Sequence, residues 1–202
     1  EVYEVLSQDF MYSNAGNNLI FLDNHDIARF MHIVGNDLQK MKLGLTLLMT
    51  TRGIPQIYYG TELLMNGNGD HDKIRYDFPG GWASDIVNSF SEKGRSANQN
   101  EVFNLMRKLN QLRKTSKAIG EGKLVHFIPE NNIYVYFRQH GAETLMVVLN
   151  GNTEVRKLDL SRFDQFLKGK QKLGSQINTN KEIEIPKEIE LQPLEAEVYK
   201  VY

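Results

Sequence analysis

A short apolar strand that runs straight into four polar residues is the feature that most constrains the fold of this chain. Residues 19–22 are β-prone, and residues 23–26 read Asp-Asn-His-Asp. Enzymes built on parallel sheets carry their ionisable groups at the carboxyl ends of the strands, where the loops converge on one side of the sheet. The pattern therefore predicts a catalytic or binding site directly after this strand.

A second unit of the same design follows at residues 53–62. Its β-prone run, residues 54–59, stops at Gly60 and is followed by Thr61 and Glu62. Between the two runs, Asn36 or Asp37 can cap a helix with apolar residues at helical spacing. These apolar positions are Leu38, Met41, Leu45, Leu48 and Met49. The order strand, helix, strand predicts an α/β fold, with two consecutive βα units of a parallel barrel.

The rest of the chain divides into a long loop, a helix and a β-rich part. Residues 65–96 are rich in Gly, Asn and Asp, and we interpret this long irregular segment as functional. A helix is predicted at residues 98–118, and Gly120-Glu-Gly122 marks a domain boundary after it. The apolar period then becomes two, which predicts an antiparallel β-sandwich. Its predicted strands are residues 124–128, 133–137, 145–149, 155–158, 183–185, 189–191 and 198–202, with a basic loop at 167–181.

The composition narrows the possible partners. The counts of Lys plus Arg and of Asp plus Glu are 24 and 25, so bulk electrostatics does not favour nucleic acid, whereas a neutral sugar is easily accommodated. The chain has no cysteine for a disulfide or a thiolate metal site and no run long enough for a membrane span. Two βα units cannot close a barrel of eight. We therefore expect the chain to be the C-terminal portion of a larger enzyme.

Two motifs resemble one known family. Residues 21–26, Phe-Leu-Asp-Asn-His-Asp, resemble the strand-seven motif of the α-amylase family of glycoside hydrolases, and residues 53–62, Gly-Ile-Pro-Gln-Ile-Tyr-Tyr-Gly-Thr-Glu, resemble its strand-eight segment. Residues 59–62 and 77–82 are most similar to neopullulanases and cyclomaltodextrinases of Gram-negative gut-type bacteria. The resemblance implies a bacterial enzyme, periplasmic or cytoplasmic, that cleaves α-glucosidic bonds in starch-derived glucans with retention. It also implies a partial (β/α)8 TIM barrel in residues 1–119 and a C-terminal antiparallel β-sandwich in residues 120–202.

The same resemblance assigns roles to single residues. Asp26 matches the family carboxylate that stabilises the transition state, and His25, together with Asn24, would bind the hydroxyls of the sugar being cleaved. The nucleophilic Asp and the acid/base Glu of the family come from strands four and five, which this chain lacks. The fragment by itself is therefore expected to be inactive.

Further candidates lie outside the two motifs. An acidic residue followed by Arg contacts the neighbouring sugar in neopullulanase-type relatives, and Asp70 or Asp72 with Arg75 resembles that pair. Aromatic rings stack on sugar rings, which makes Tyr58, Tyr59 and Trp82 candidates, although each could instead pack in the interior. Three other polar residues are expected to be structural or peripheral: Glu62, Arg29 and His32.

No cofactor is expected to be required for the chemistry. The loop at residues 66–72 has oxygen-bearing side chains at alternate positions, with Asp77 at the twelfth position, as in a calcium loop. His71, however, stands where the sharp-turn Gly of such a loop belongs. A structural calcium ion is possible on this pattern but cannot be assigned to particular ligands.

Three alternatives remain open from the sequence. In the first, Asp26 merely caps a helix at residues 27–34 and His25 is an ordinary loop histidine. In the second, His25-Asp26 and His71-Asp72 are the His-Asp pairs of a metal-dependent phosphohydrolase, a chemistry that needs further ligands nearby. In the third, the chain is a non-catalytic carbohydrate-binding fragment. A bound transition metal would favour the second alternative.

Overall fold

The computed structural model describes residues 1–178 and 181–202. The α-helices in this part of the chain are α1 Val2–Leu6, α2 Phe30–Ile33, α3 Leu38–Thr50, α4 His71–Ile74, α5 Ala97–Thr115, α6 Lys117–Glu121 and α7 Asp164–Leu167. The strands are β1 Leu19–Ile20, β2 Ile54–Pro55, β3 Lys123–His126, β4 Ile133–His140, β5 Glu143–Asn150, β6 Arg156–Asp159, β7 Lys172–Ser175, β8 Glu182–Glu184, β9 Glu188–Leu191 and β10 Ala196–Val201. None of the described helices is long and apolar enough to cross a membrane.

The first two strands pair in parallel, which is the direction that the sequence predicts. β1 and β2 form a two-stranded sheet, and the crossover between them contains α2 and α3. Both strands are shorter than the runs predicted at residues 19–22 and 54–59, since each strand has only one neighbour. The Gln56 amide still donates to the Ile20 carbonyl at 2.8 Å. The two runs therefore stay side by side, and their carboxyl ends meet at one edge.

β2 begins directly after a glycine that permits a close backbone approach. Gly53 has a φ of +106°, and a Cβ atom there would lie 2.8 Å from the Asn18 carbonyl oxygen. The same oxygen accepts the Ile54 amide at 2.9 Å. Only glycine combines this positive φ with so short an approach at little cost. The parallel pair depends on that junction.

The two long helices start at side-chain caps. Asp37 accepts from the amides of Gln39 and Lys40 at 2.9 and 3.1 Å and so caps α3, one of the two caps predicted. Ser96 and Gln99 form a reciprocal capping box at α5. The helix predicted at 98–118 is two helices, because Ser116 leaves the helical conformation and caps α6 through the Ile119 amide.

The C-terminal part is dominated by one antiparallel sheet of six strands, in the order β3-β4-β5-β10-β7-β8. β6 and β9 form a separate antiparallel pair. The antiparallel pattern predicted from residue 123 onwards is confirmed, and each of the seven predicted strands is present with shifts of at most three residues at its ends. Such end shifts are normal, because strand ends depend on neighbouring chains.

The six-stranded sheet has a different cover on each face. One face packs against the β6–β9 pair and the turn of α7; its core contains Phe137, Met146, Phe163, Ile189 and Leu191. The opposite face packs against α3 and α5; its core contains Met41, Leu45, Val102, Tyr136 and Val198. The sandwich predicted from sequence is therefore present on one side only, because helices cover the other face of the sheet.

The prediction of a basic loop at residues 167–181 was wrong in part. The segment begins at the end of α7 and contains β7, which pairs with both β10 and β8. β7 reads Lys-Leu-Gly-Ser and contains a single apolar side chain with no alternation, so its strand conformation depends on the neighbours that supply its hydrogen bonds. Thr179 and Asn180 of this predicted loop lie outside the described residues.

Candidate active site

The loop after β1 is shaped by a short side-chain turn. The Asn24 Oδ1 atom accepts from the amides of Asp26 and Ile27 at 2.8 and 3.2 Å. An Asn that bonds the backbone two and three residues on fixes a tight turn. Asn24 itself is thus used by the backbone, and the turn leaves His25 and Asp26 with exposed side chains at the carboxyl end of the strand.

Three of the predicted site residues meet in one cluster. The Asp26 carboxylate lies 3.1 Å from His25 Nε2 and 3.0 Å from Arg75 Nη2. Arg75 also donates through Nε to the His25 carbonyl at 2.9 Å. We call His25, Asp26 and Arg75 the Asp26 cluster. Arg75 lies 49 positions beyond Asp26 in the chain, so only the fold brings the two together.

Asp23 anchors the cluster to the second strand. It is buried, with its Oδ1 atom accepting from the Thr61 hydroxyl at 2.9 Å and its Oδ2 atom from the Phe30 amide at 3.0 Å. One carboxylate therefore joins the ends of both parallel strands and the start of α2. The sequence places Asp23 in the polar cluster without indicating a role of its own. The hydroxyl of Thr61, directly after the turn at Gly60, is the feature that could have indicated its partner.

The helix cap in the first alternative from sequence is contradicted. Asp26 does not cap the helix that follows it, since α2 begins only at Phe30 and the carboxylate that accepts from that residue's amide belongs to Asp23. The predicted helix at residues 27–34 is shorter for the same reason: the Asn24 turn holds the first of those residues outside the helical conformation. The Asp26 carboxylate is left to His25 and Arg75.

The two tyrosines after β2 have different surroundings. The Tyr58 ring centroid lies 6.5 Å from that of His25. The Tyr59 hydroxyl donates to the Tyr76 carbonyl at 2.6 Å, and its ring lines a cavity of about 300 Å³ beside Phe103 and Met106 of α5. Burial raises the pKa of the Tyr59 hydroxyl. Tyr58, rather than the predicted Tyr59, is therefore the tyrosine whose ring lies beside the Asp26 cluster.

Glu62 lines the same cavity as Tyr59. Burial raises the pKa of the Glu62 carboxyl, and the nearby Arg29 guanidinium opposes this increase. Arg29 is fully buried, which agrees with the expectation of a supporting role, whereas His32 is exposed. Arg29 and Asp23 thus lie near enough to Glu62 to influence its carboxyl electrostatically.

The long segment at residues 65–96 holds the remaining candidates. Asp70 pairs with Lys73 at 2.9 Å, and hydrogen bonding to that ammonium lowers the pKa of Asp70. Asp72 is exposed. The Trp82 indole is 64% exposed and donates to Asp77 Oδ2 at 3.2 Å, so the alternative of a core-anchoring tryptophan is contradicted.

Two side chains of the predicted calcium loop are hydrogen-bonded to amides of the same loop. Asn66 and Asn68 accept from the amides of Gly67 and Asp70, at 2.7 and 3.4 Å. Over residues 1–178 and 181–202, no group of three or more His, Cys, Asp or Glu side chains is arranged to hold a metal ion. A structural calcium ion remains a prediction.

Two segments of the chain match known protein families. Residues 2–79 match the family described as alpha amylase, catalytic domain. Residues 124–200 match the family described as cyclo-malto-dextrinase C-terminal domain. The order of the two segments is the order that the sequence resemblance implies, with the two strand-end motifs in the first segment.

The curated relatives of the chain include cyclomaltodextrin glucanotransferases and an α-amylase. A cyclomaltodextrin glucanotransferase of Geobacillus stearothermophilus is 34% identical over 139 residues, which are 69% of this chain and 17% of that protein. An α-amylase of Niallia circulans is 36% identical over 141 residues, which are 70% of this chain and 24% of that protein. The chain thus spans less than a quarter of the length of these relatives.

Solved structures show the same fold along the chain. An α-amylase from Geobacillus thermoleovorans, complexed with acarbose, superposes with a TM-score of 0.80 at 25% identity, covering 100% of this chain and 42% of that one. An Anoxybacillus α-amylase superposes with a TM-score of 0.80 at 24% identity, covering 99% and 41%. By its two matched segments and its fold, the chain belongs to the α-amylase family, with residues of the catalytic domain followed by a C-terminal β-domain.

Proposed function

We propose that this chain forms one wall of the active site of a retaining glycoside hydrolase that cleaves α-glucosidic bonds in starch-derived glucans. The observation that carries the proposal is the Asp26 cluster at the carboxyl ends of two parallel strands, where barrel enzymes perform their chemistry. The relatives named α-amylase and cyclomaltodextrin glucanotransferase support the same substrate class. β1 and β2 would be the last two strands of a (β/α)8 barrel.

The role of Asp26 follows from the charge that develops during cleavage. The sugar ring becomes oxocarbenium-like in the transition state. A fixed carboxylate stabilises that cation more than the neutral substrate, and this difference lowers the barrier. His25 and Arg75 each contact a different oxygen of Asp26, which holds the carboxylate in place and leaves each oxygen able to accept a sugar hydroxyl.

The remaining candidates would bind the sugar. His25, beside the Tyr58 ring, presents a nitrogen to sugar hydroxyls. Trp82 offers an exposed aromatic face for stacking, and Asp72 an exposed carboxylate for hydroxyl groups. Asn24 would act through the turn that it stabilises. The nucleophile and the acid/base are assigned to strands outside this chain, so we expect the chain alone to bind a maltooligosaccharide without cleaving it.

The catalytic role of Asp26 can be tested in the protein that combines this chain with the other barrel strands. Asp26→Asn is expected to lower kcat for maltoheptaose about 100- to 1,000-fold, since one preorganised electrostatic contact in the transition state is lost. KM is expected to change little, because the lost contact matters mainly in the transition state. Steady-state kinetics measures both constants, and product analysis separates hydrolysis from glucosyl transfer.

A matched control separates chemistry from folding. Asp164→Asn removes an exposed carboxylate in the β-domain and is expected to leave kcat unchanged. Circular dichroism and thermal unfolding are expected to be the same for both variants and the wild type. Turnover by Asp26→Asn within about threefold of the wild-type rate, against the loss expected of an electrostatic contact, would reject the role of Asp26.

A further inference from the structure

Arg29 is a buried cation directly beneath the Asp26 cluster. Its side chain is 0% exposed. Its amide donates to the Gly67 carbonyl at 2.9 Å, which already joins the loop after β1 to the segment that follows β2. A fully buried arginine is costly unless the structure uses its donors, because the guanidinium loses its hydration.

The guanidinium contacts two backbone carbonyls that are distant from each other in the sequence. Its Nε atom donates to the Ile74 carbonyl at 3.0 Å, and its Nη1 atom donates to the Tyr59 carbonyl at 2.7 Å. The guanidinium carbon lies 4.0 Å from the Tyr58 ring centroid, within the range of a cation–π contact. Arg29 therefore holds the residues after β2 and the end of α4 at once.

Each of these contacts adjoins a residue of the site. Ile74 precedes Arg75, whose guanidinium holds Asp26 and the His25 carbonyl. Tyr58, on which Arg29 lies, is the tyrosine beside the His25 ring. By contrast, the Asp26 side chain is 60% exposed, and the side chains of His25 and Arg75 that contact it are exposed as well. Its orientation depends on what positions Arg75.

We propose that Arg29 is a positioning residue that sets the orientation of Asp26 and of Tyr58 by fixing the Ile74 and Tyr59 carbonyls. Its importance for catalysis rests on the function proposed above, whereas the positioning itself does not. Lysine cannot replace arginine here, because a single ammonium lacks the planar fork that reaches two carbonyls while lying flat on a ring.

The Nη2 atom is the third nitrogen of the Arg29 guanidinium. It is buried and has no hydrogen-bond partner among the residues that the structure describes. Glu62 lies near enough to Arg29 for the guanidinium to oppose the increase in the pKa of the Glu62 carboxyl that burial causes. The guanidinium is held in place by the carbonyls of Ile74 and Tyr59 and by the Tyr58 ring.

The test compares Arg29→Lys with Arg138→Lys in the full chain by NMR. Arg138 is a matched control: it is buried and also donates to main-chain carbonyls, but it lies in β4. Both variants are expected to lose stability. Only Arg29→Lys is expected to shift the Arg75 Nε–H and His25 ring signals, and to weaken maltoheptaose binding about tenfold or more. Unchanged Arg75 and His25 signals in folded Arg29→Lys would overturn the proposal.

Two further readouts keep the result decisive. In the wild-type chain, the Arg29 Nε–H proton is expected to exchange slowly with solvent, and fast exchange would overturn the proposal even if Arg29→Lys failed to fold. If the wild-type chain bound no maltoheptaose while the Arg75 and His25 signals responded to Arg29→Lys, positioning would stand and the proposed function would fail. The two inferences therefore fail separately.

Discussion

The pKa of a polar side chain in this protein depends on its burial and on its hydrogen-bond partners, as Glu197 shows. Glu197 of β10 is 4% exposed and accepts from Ser175 Oγ at 2.9 Å, Asn178 Nδ2 at 3.0 Å and the Val198 amide at 2.8 Å. These hydrogen bonds favour the ionised form of Glu197 and so lower its pKa, but all three donors are neutral groups. Burial outweighs them and raises the pKa of Glu197 above its usual value.

The raised pKa of Glu197 predicts a pH-dependent stability difference. Below the unfolded pKa the carboxyl is protonated in both states and its contribution is fully present; this contribution is lost as pH rises through the folded pKa. Glu197→Gln carries no such charge. The free energy of unfolding of Glu197→Gln minus that of the wild type is therefore expected to increase from pH 4.5 to pH 8 in urea titrations. A difference that is flat or falls over this range would contradict the raised pKa.

Two candidate site residues lie in one recognisable sequence motif. Asp26 and His25 follow a strand, and they do lie together with Arg75. Tyr58 could not be separated from Tyr59 by sequence, because the two alternate in direction and only the position of α5 decides which ring lies beside His25. Arg29 was expected to be structural or peripheral; a single sequence does not show which charges are buried, so only the fold decided between the two.

At the scale of elements, arginine side chains hold the ends of helices against the sheet. Arg138 of β4 is 2% exposed and donates to the carbonyls of Thr50, Ile119 and Gly122 at 2.8 to 3.0 Å. Helix C-termini carry unpaired carbonyls and partial negative charge, which a guanidinium satisfies. Burial nonetheless lowers the pKa of Arg138 to about 10. The ends of α3 and α6 are thus tied to one strand by one side chain.

Removal of that side chain is expected to destabilise the protein. Arg138→Met leaves three carbonyls without their donor, and each unsatisfied buried group costs about 1–3 kcal/mol, so we expect a total loss of about 3 kcal/mol or more. The control is Arg156→Met, which removes an exposed ion pair with Glu154; this loss is expected to cost under about 1 kcal/mol. Urea unfolding measures both. Equal effects of the two substitutions would refute the bridging role.

The chain as a whole has a hydrophobic core that crosses the predicted domain boundary at residues 119–120. Apolar side chains of α3 and α5 meet those of β4, β5 and β10 in one cluster. Leu45 of α3 is fully buried in this cluster, as is Val198 of β10. Each segment covers apolar surface of the other, so separating them would expose a face of the sheet to water.

This shared core predicts cooperative unfolding of both segments. Leu45→Ala is expected to cost about 2–5 kcal/mol through the lost apolar contacts and the cavity. The same decrease is expected in the amide-exchange protection of α3 and of β10, because both open in one global event. Hydrogen-exchange mass spectrometry reads the two segments separately. Protection of β10 that stays at the wild-type level would mean that the segments unfold independently.

The sequence alone determined the features that repeat locally. Helical spacing with a cap at Asn36 or Asp37 predicted α3, and alternation predicted the antiparallel strands. The polar residues after β1 predicted exposed ionisable side chains at the end of that strand, where His25 and Asp26 lie. Each of these features depends on neighbours a few residues away. The tertiary structure alone decided that β7 is a strand, that helices cover one face of the sheet, and that Arg29 lies beneath Asp26. Those outcomes depend on contacts between residues distant in the chain, and burial and charge energies are set only when these contacts form.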